Sequence, residues 1–138
     1  MKSVTRVQSS EFSERIDSYK DLIVWQKSLL LIKAVYKAVQ SFPKEETWAL
    51  TSQIKRSVVS VASNIAEGSS KRSTREFIRF LNISYGSMAE LEAQLIIAAE
   101  LGFLSRPDLA FLTDRCNEIG KMLNGLIRSL NNKLNSEL

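Results

Sequence analysis

The sequence predicts an all-α protein, an antiparallel four-helix bundle running up-down-up-down, and three observations carry that expectation. Four segments repeat apolar residues at alternating steps of three and four, the period of a helix that buries one face. The 138 residues contain only five Gly and two Pro, too little punctuation for the many turns of a sheet protein. Short turn signals separate the segments, and helices of similar length joined by short links pack as antiparallel neighbours.

Residues 1–19 show no sustained period and are rich in Ser and charge, as expected of a flexible N-terminal arm. The bundle is expected over 20–134. Helix 1, about 21–41, carries the stripe Leu22, Trp25, Leu29, Ile32, Tyr36 and Val39, with Asp21 as N-cap. It ends at Phe42-Pro43, because Pro lacks an N–H and disfavours helical geometry in the residue before it. Helix 2, about 46–67, has the stripe Leu50, Ile54, Val58, Val61 and Ile65. Gln53, Ser57, Ser60 and Asn64 line one flank; Val59, Ala62 and Ala66 line the other. Small residues on nearly every side let other backbones approach closely, where a surface helix would carry long charged residues. Gly68 is expected as its left-handed cap.

Helix 3, about 73–101, opens with the capping box Ser73-Thr74-Arg75-Glu76. It has two stripes, Phe77, Leu81, Ser84, Met88, Leu91, Leu95 and Ala98, and Phe80, Ile83, Ser87, Glu90, Gln94, Ile97 and Leu101. Two stripes imply two buried contacts. Gly102 closes it. Helix 4, about 107–134, follows "SRPD" with Leu109, Leu112, Cys116, Ile119, Leu123, Leu126 and Leu130 at heptad-like spacing.

Composition narrows the function classes. No histidine is present, which removes His metal ligands, His bases and Ser-His or Cys-His pairs together. The single Cys116 excludes an internal disulfide and points to a reducing compartment. No apolar run approaches the ~18 residues of a membrane span, and "MKSVTRVQSSEFSER" lacks a signal-peptide core. A cytoplasmic protein with no membrane association is expected. The net charge of +4 is uneven. Residues 1–46 hold eight basic and six acidic side chains, 47–80 six and two, and 81–138 five and seven. The surplus therefore lies on helix 2 and the turn after it.

The blocks "DLIVWQKS", "SFPKEETWALTSQIKRSVVSVASNIAEGSSKRSTREFIRFLNISYGSMAELEAQL" and "LGFLS" resemble the four-helix bundle protein family, also known as the 23S ribosomal RNA intervening-sequence protein family. The likeness covers about residues 20–130, with "LTSQI", "NIAEG" and "ELEAQL" in order at the family spacing. The resemblance implies a bacterial, left-handed bundle that assembles as a ring-like homopentamer. It also implies relatedness to the accessory proteins of diversity-generating retroelements, which are basic, pentameric and bind a reverse transcriptase and nucleic acid.

The polar residues of "NIAEG" admit two readings. In the structural one, Asn64, Glu67, Glu90 and Gln94 are hydrogen-bonded within a crowded bundle or between subunits, since an unpaired buried polar group costs ~1–3 kcal/mol. Glu67 would fix the helix 2–3 hairpin by pairing with Arg72 or Arg75. In the chemical one, Glu67 and Glu90 form a catalytic or metal-binding pair. Di-metal bundles need more acids and usually E-x-x-H motifs, which are absent, and a turn near Ser70 puts Glu90 near Leu50 and Gln53, far from Glu67. Neither a metal nor another cofactor is expected.

Lys55, Arg56, Lys71, Arg72, Arg75 and Arg79 form the basic set, with Lys55, Lys71 and Arg79 expected to point outward. A solvated face is one reading. Repetition around a ring gives the other, a multivalent surface whose phosphate contacts add. No aromatic residues are interleaved for base stacking, so such binding would be backbone-directed. Trp25 reads as core; Trp48 stays open between core and interface. Cys116 reads as packing. The sequence thus points to a non-enzymatic homo-oligomeric platform that binds RNA, DNA or a nucleic-acid–protein complex. The alternatives are a structural or protein-interaction assembly and, last, an enzyme using Glu67 or Glu90.

Overall fold

The computed structural model describes residues 18–137, all of whose regular structure is helical. Of the expected arm, residues 1–17 lie outside the described range. Four helices follow: α1 (Ile23–Ala38), α2 (Leu50–Ser69), α3 (Thr74–Glu100) and α4 (Arg106–Ser136). Each packs on its neighbour in sequence, and α1 closes the square on α4. The directions alternate. Gly68 of α2 meets Phe77 and Phe80, near the start of α3, while Ser60 meets Ser87 further along. At the opposite end Phe42 and Phe103, on the α1–α2 and α3–α4 connections, stand 5.8 Å apart between ring centroids. This is the up-down-up-down arrangement.

The α2 stripe is buried as its spacing predicts, with Ile54, Val58, Val61 and Ile65 fully enclosed. Each such side chain contributes roughly 1.5–3 kcal/mol relative to exposure. Helix α1 buries the expected stripe in part, with Leu22 and Val39 enclosed and Trp25 and Ile32 packed on the core, but its centre is rotated. Val24, Ser28, Leu31 and Val35 point inward, whereas Leu29 and Tyr36 are exposed. Apolar residues run nearly all round this helix, so a three-four repeat can be drawn on more than one side. Ser28 is tolerated inside because its hydroxyl donates to the Trp25 carbonyl at 2.7 Å. The α-helix also begins later than expected. Tyr19–Asp21 form a 3-10 turn capped by the Ser18 hydroxyl, and Leu22, not Asp21, is the N-cap of α1. Similarly Lys44–Glu46 form a 3-10 turn before α2, and a Glu46 carboxylate oxygen accepts from the Leu50 N–H at 3.3 Å.

Gly68 is not a left-handed cap. Helix α2 continues through it to Ser69, and Gly102 (φ 83°) is the one residue with positive φ among those described. Gly68 is required by space: a Cβ there would stand 2.7 Å from the Phe80 Cβ. In α3 the Ser73 hydroxyl accepts from the Glu76 N–H at 3.2 Å, which is half of a capping box. The Glu76 carboxylate turns instead to Arg79. The first α3 stripe is buried from Leu81 to Ala98. Of the second, Phe80 and Gln94 are buried, but Ile83, Ile97 and Leu101 are exposed. Helix α4 starts with a Ser105 cap and buries Leu112, Cys116, Ile119 and Leu123.

Candidate nucleic-acid interface

The α2–α3 hairpin is held by small polar side chains. The Ser84 hydroxyl donates to the Val61 carbonyl at 2.8 Å, and the Ser60 and Ser87 hydroxyls share a hydrogen bond of 2.8 Å. Asn64 completes the set, its amide donating to the Ser60 carbonyl at 2.8 Å and the Ser60 hydroxyl at 2.9 Å. Long side chains at these positions would push the helices apart. Serines keep them close and satisfy one another, so α3 is fixed in register against α2.

The hairpin tip beyond this zipper carries Lys71, Arg72, Arg75 and Arg79 against Glu67 and Glu76, a surplus of two positive charges. The pairing differs from the expected one. Glu67 lies 3.9 Å from Lys71, not beside Arg72 or Arg75. Arg79 donates to Glu76 at 3.1 Å. Phe80, buried at the foot of the tip, has the Arg79 guanidinium 4.6 Å and the Lys71 ammonium 5.3 Å from its ring centroid. Arg72 and Arg75 are exposed and enter no ion pair among the described residues. Lys71 and Arg79 do face outward as expected, though each stands beside a carboxylate, while Lys55 is half-buried; Arg72 and Arg75, one of which is expected from the sequence to pair with Glu67, do not. The Glu67–Lys71 and Glu76–Arg79 pairs fall at the i,i+4 and i,i+3 spacings that bring side chains together on a helix, whereas Arg72 and Arg75 stand five and eight positions from Glu67.

The six cations do not form one patch. Lys55 and Arg56 sit in the second turn of α2; Lys55 to Lys71 is sixteen residues, about 24 Å at the helical rise. Lys55 lies over the Tyr36 ring at 4.9 Å, and Arg56 donates to the Ser52 hydroxyl at 3.0 Å.

The carboxylates stay apart. Ser60 opposite Ser87 and Val61 opposite Ser84 set Glu67 level with residues near 79. Glu90 is eleven positions further, about 16 Å, and level with Arg56 rather than with Leu50 and Gln53. Both acids are exposed. Gln94 donates to Glu90 at 3.3 Å, while its carbonyl oxygen and the Thr51 hydroxyl are buried without partners. Among the described residues no three acid, Cys or His side chains converge on a metal position, and no helix is long and apolar enough to cross a membrane. Burial pushes the Cys116 thiol up to about 12, with the Glu92 carboxylate adding to the shift. It stays protonated near neutrality, unsuited to attack as a thiolate. Glu118 is held below the ordinary carboxylate range by the hydrogen bond from Lys27 at 2.7 Å, with Arg115 assisting.

Two features give no periodic signal in the sequence. Trp48, ahead of α2, is 91% exposed. Phe111 of α4 is exposed and covered on one side by Arg115 at 4.8 Å. Neither belongs to an apolar stripe, and only the packed chain shows that both face outward.

A family model described as 23S rRNA-intervening sequence protein matches residues 20–125. Among solved structures, the chain is similar to a protein of unknown function from the S23 ribosomal protein family of Bacteroides thetaiotaomicron. The TM-score is 0.72 at 26% identity, over 77% of this chain and 96% of that one. No curated protein matches.

Proposed function

The chain belongs to the 23S rRNA-intervening sequence protein family, and from that premise we propose a non-enzymatic, self-assembling helical platform that holds nucleic acid by its phosphate backbone at the α2–α3 hairpin tip. The observation that carries this reading is the pair Arg72 and Arg75, exposed and uncommitted at a tip with surplus positive charge. Arginine suits phosphate because its planar fork donates two parallel hydrogen bonds. Phe77 and Phe80 belong to the packing, so the tip offers no base-stacking surface and sequence preference is weak. Self-assembly is supported by the outward row Ile83, Ile97 and Leu101 on α3, and the copy number implied by the family likeness is five.

Binding to labelled RNA and DNA duplexes across a salt series tests this reading. Arg72→Gln with Arg75→Gln is expected to weaken binding to unrelated sequences alike and to flatten the salt slope by roughly one for each phosphate no longer neutralised. Fold and assembly should be unchanged, since exposed substitutions cost within ~0.5 kcal/mol. A parent protein that does not bind at low salt rejects the nucleic-acid part. A second reading then stands on the α3 row alone, an assembly that binds other proteins.

A further inference from the structure

Tryptophan is seldom left in water, yet Trp48 is 91% exposed. It stands where the Lys44–Glu46 turn leads into α2. At the same end of the bundle, a groove opens between the last turn of α1 and the first of α4, with a volume of about 330 Å³. Its walls are Ala34, Ala38 and Phe111, and its rim carries Ser41, Lys37 and Asp108. Helix α2 packs on α1 and α3, so the tryptophan and the groove belong to different sides of that end. The molecule's own Trp48, being almost fully exposed, does not fill the groove.

Their chemistry is complementary. An indole is a flat apolar body with one N–H donor. Two alanines and an exposed phenylalanine offer it a flat apolar slot, and Ser41 and Asp108 offer it acceptors. Lys44 and Glu45 precede the tryptophan in the same connection, and Lys37 and Asp108 line the groove, so each surface carries one charge of each sign to offer the other. Among the described residues none of these four enters a salt bridge. We propose that Trp48 of one copy seats in the α1–α4 groove of a second copy of this chain. Donor and acceptor surfaces differ, so the contact is head-to-tail. Each copy gives one tryptophan and receives another, which propagates into a ring or a filament according to the rotation between copies. This rests on the self-assembly part of the reading above and is independent of nucleic acid.

Two variants of the full chain test it, Trp48→Ala and Phe111→Glu, each checked for fold by circular dichroism. Sedimentation of either alone should show the half-dissociation concentration raised by about thirtyfold or more, the size of a tryptophan hot spot. Mixing the two should restore one-to-one pairs, because one retains the groove and the other the tryptophan. The emission difference between parent and Trp48→Ala should shift to the blue as protein concentration rises. Assembly by either variant at the parent's concentration overturns the proposal, and so do variants that fail to pair on mixing. A parent that stays monomeric overturns both this contact and self-assembly, while the RNA titration of Arg72 and Arg75 decides the tip separately.

Discussion

Replacing Gly68 with alanine should destabilise the protein, although alanine is the better helix former. The added Cβ would lie 2.7 Å from the Phe80 Cβ, 3.1 Å from Phe77 Cδ1 and 3.3 Å from the Phe77 carbonyl oxygen. Carbon atoms pack best at about 3.5–4.0 Å, so the closest approach is short by roughly 1 Å. The Phe80 Cβ is fixed to its backbone and cannot rotate away. The start of α3 must therefore retreat, and overpacking of this kind costs about 1–3 kcal/mol. The helix-propensity gain of at most ~1 kcal/mol offsets part of it. A net loss of about 1 kcal/mol, within roughly 0–2, remains. Gly125, within α4, has open space where a Cβ would stand, with no atom within 4 Å, so Gly125→Ala should gain about 0.5–1 kcal/mol. Urea unfolding of both variants and the parent at one protein concentration measures the difference. A Gly68→Ala protein as stable as Gly125→Ala would refute the close-approach argument.

Two further outcomes follow from the charged and sulfur groups. Cys116 should react with iodoacetamide at neutral pH far more slowly in the native than in the urea-unfolded protein, because burial keeps it a thiol; equal rates would contradict its enclosure. Glu118 has a folded pKa below its unfolded one, so its contribution to stability is present above the unfolded value, about 4.3, and is lost as pH falls through the folded value. A carbon-detected NMR titration of Glu118 should show a midpoint below the ordinary glutamate range that rises in Lys27→Met. An unchanged midpoint in that variant would remove Lys27 as the cause.

What can be read from the sequence depends on contrast. In α2 the large apolar residues Leu50, Ile54, Val58, Val61 and Ile65 stand among small or polar ones, so the buried face is unambiguous. In α1, Ile23, Leu29 and Leu30 are as apolar as Val24 and Leu31, and periodicity loses its meaning. Glycine carries two signals that a sequence does not separate, left-handed backbone and lack of bulk. Gly102 uses the first and Gly68 the second. The basic tip is legible as a run of charge. Its pairing is legible too, because Glu67 to Lys71 and Glu76 to Arg79 stand at i,i+4 and i,i+3 spacing; the expectation of a contact across the hairpin overrides that local signal. Trp48 is ambiguous in sequence because exposure depends on what packs against a side chain, and at 91% exposure little of this chain does.

The length of α2 separates the two ends of the molecule electrically. Its twenty residues span about 30 Å, several times the ~8 Å over which mobile ions damp a field at physiological salt. The potential of Arg72 and Arg75 therefore fades before it reaches Trp48. Changes at the cationic tip are thus felt at the far end through packing and not through its field.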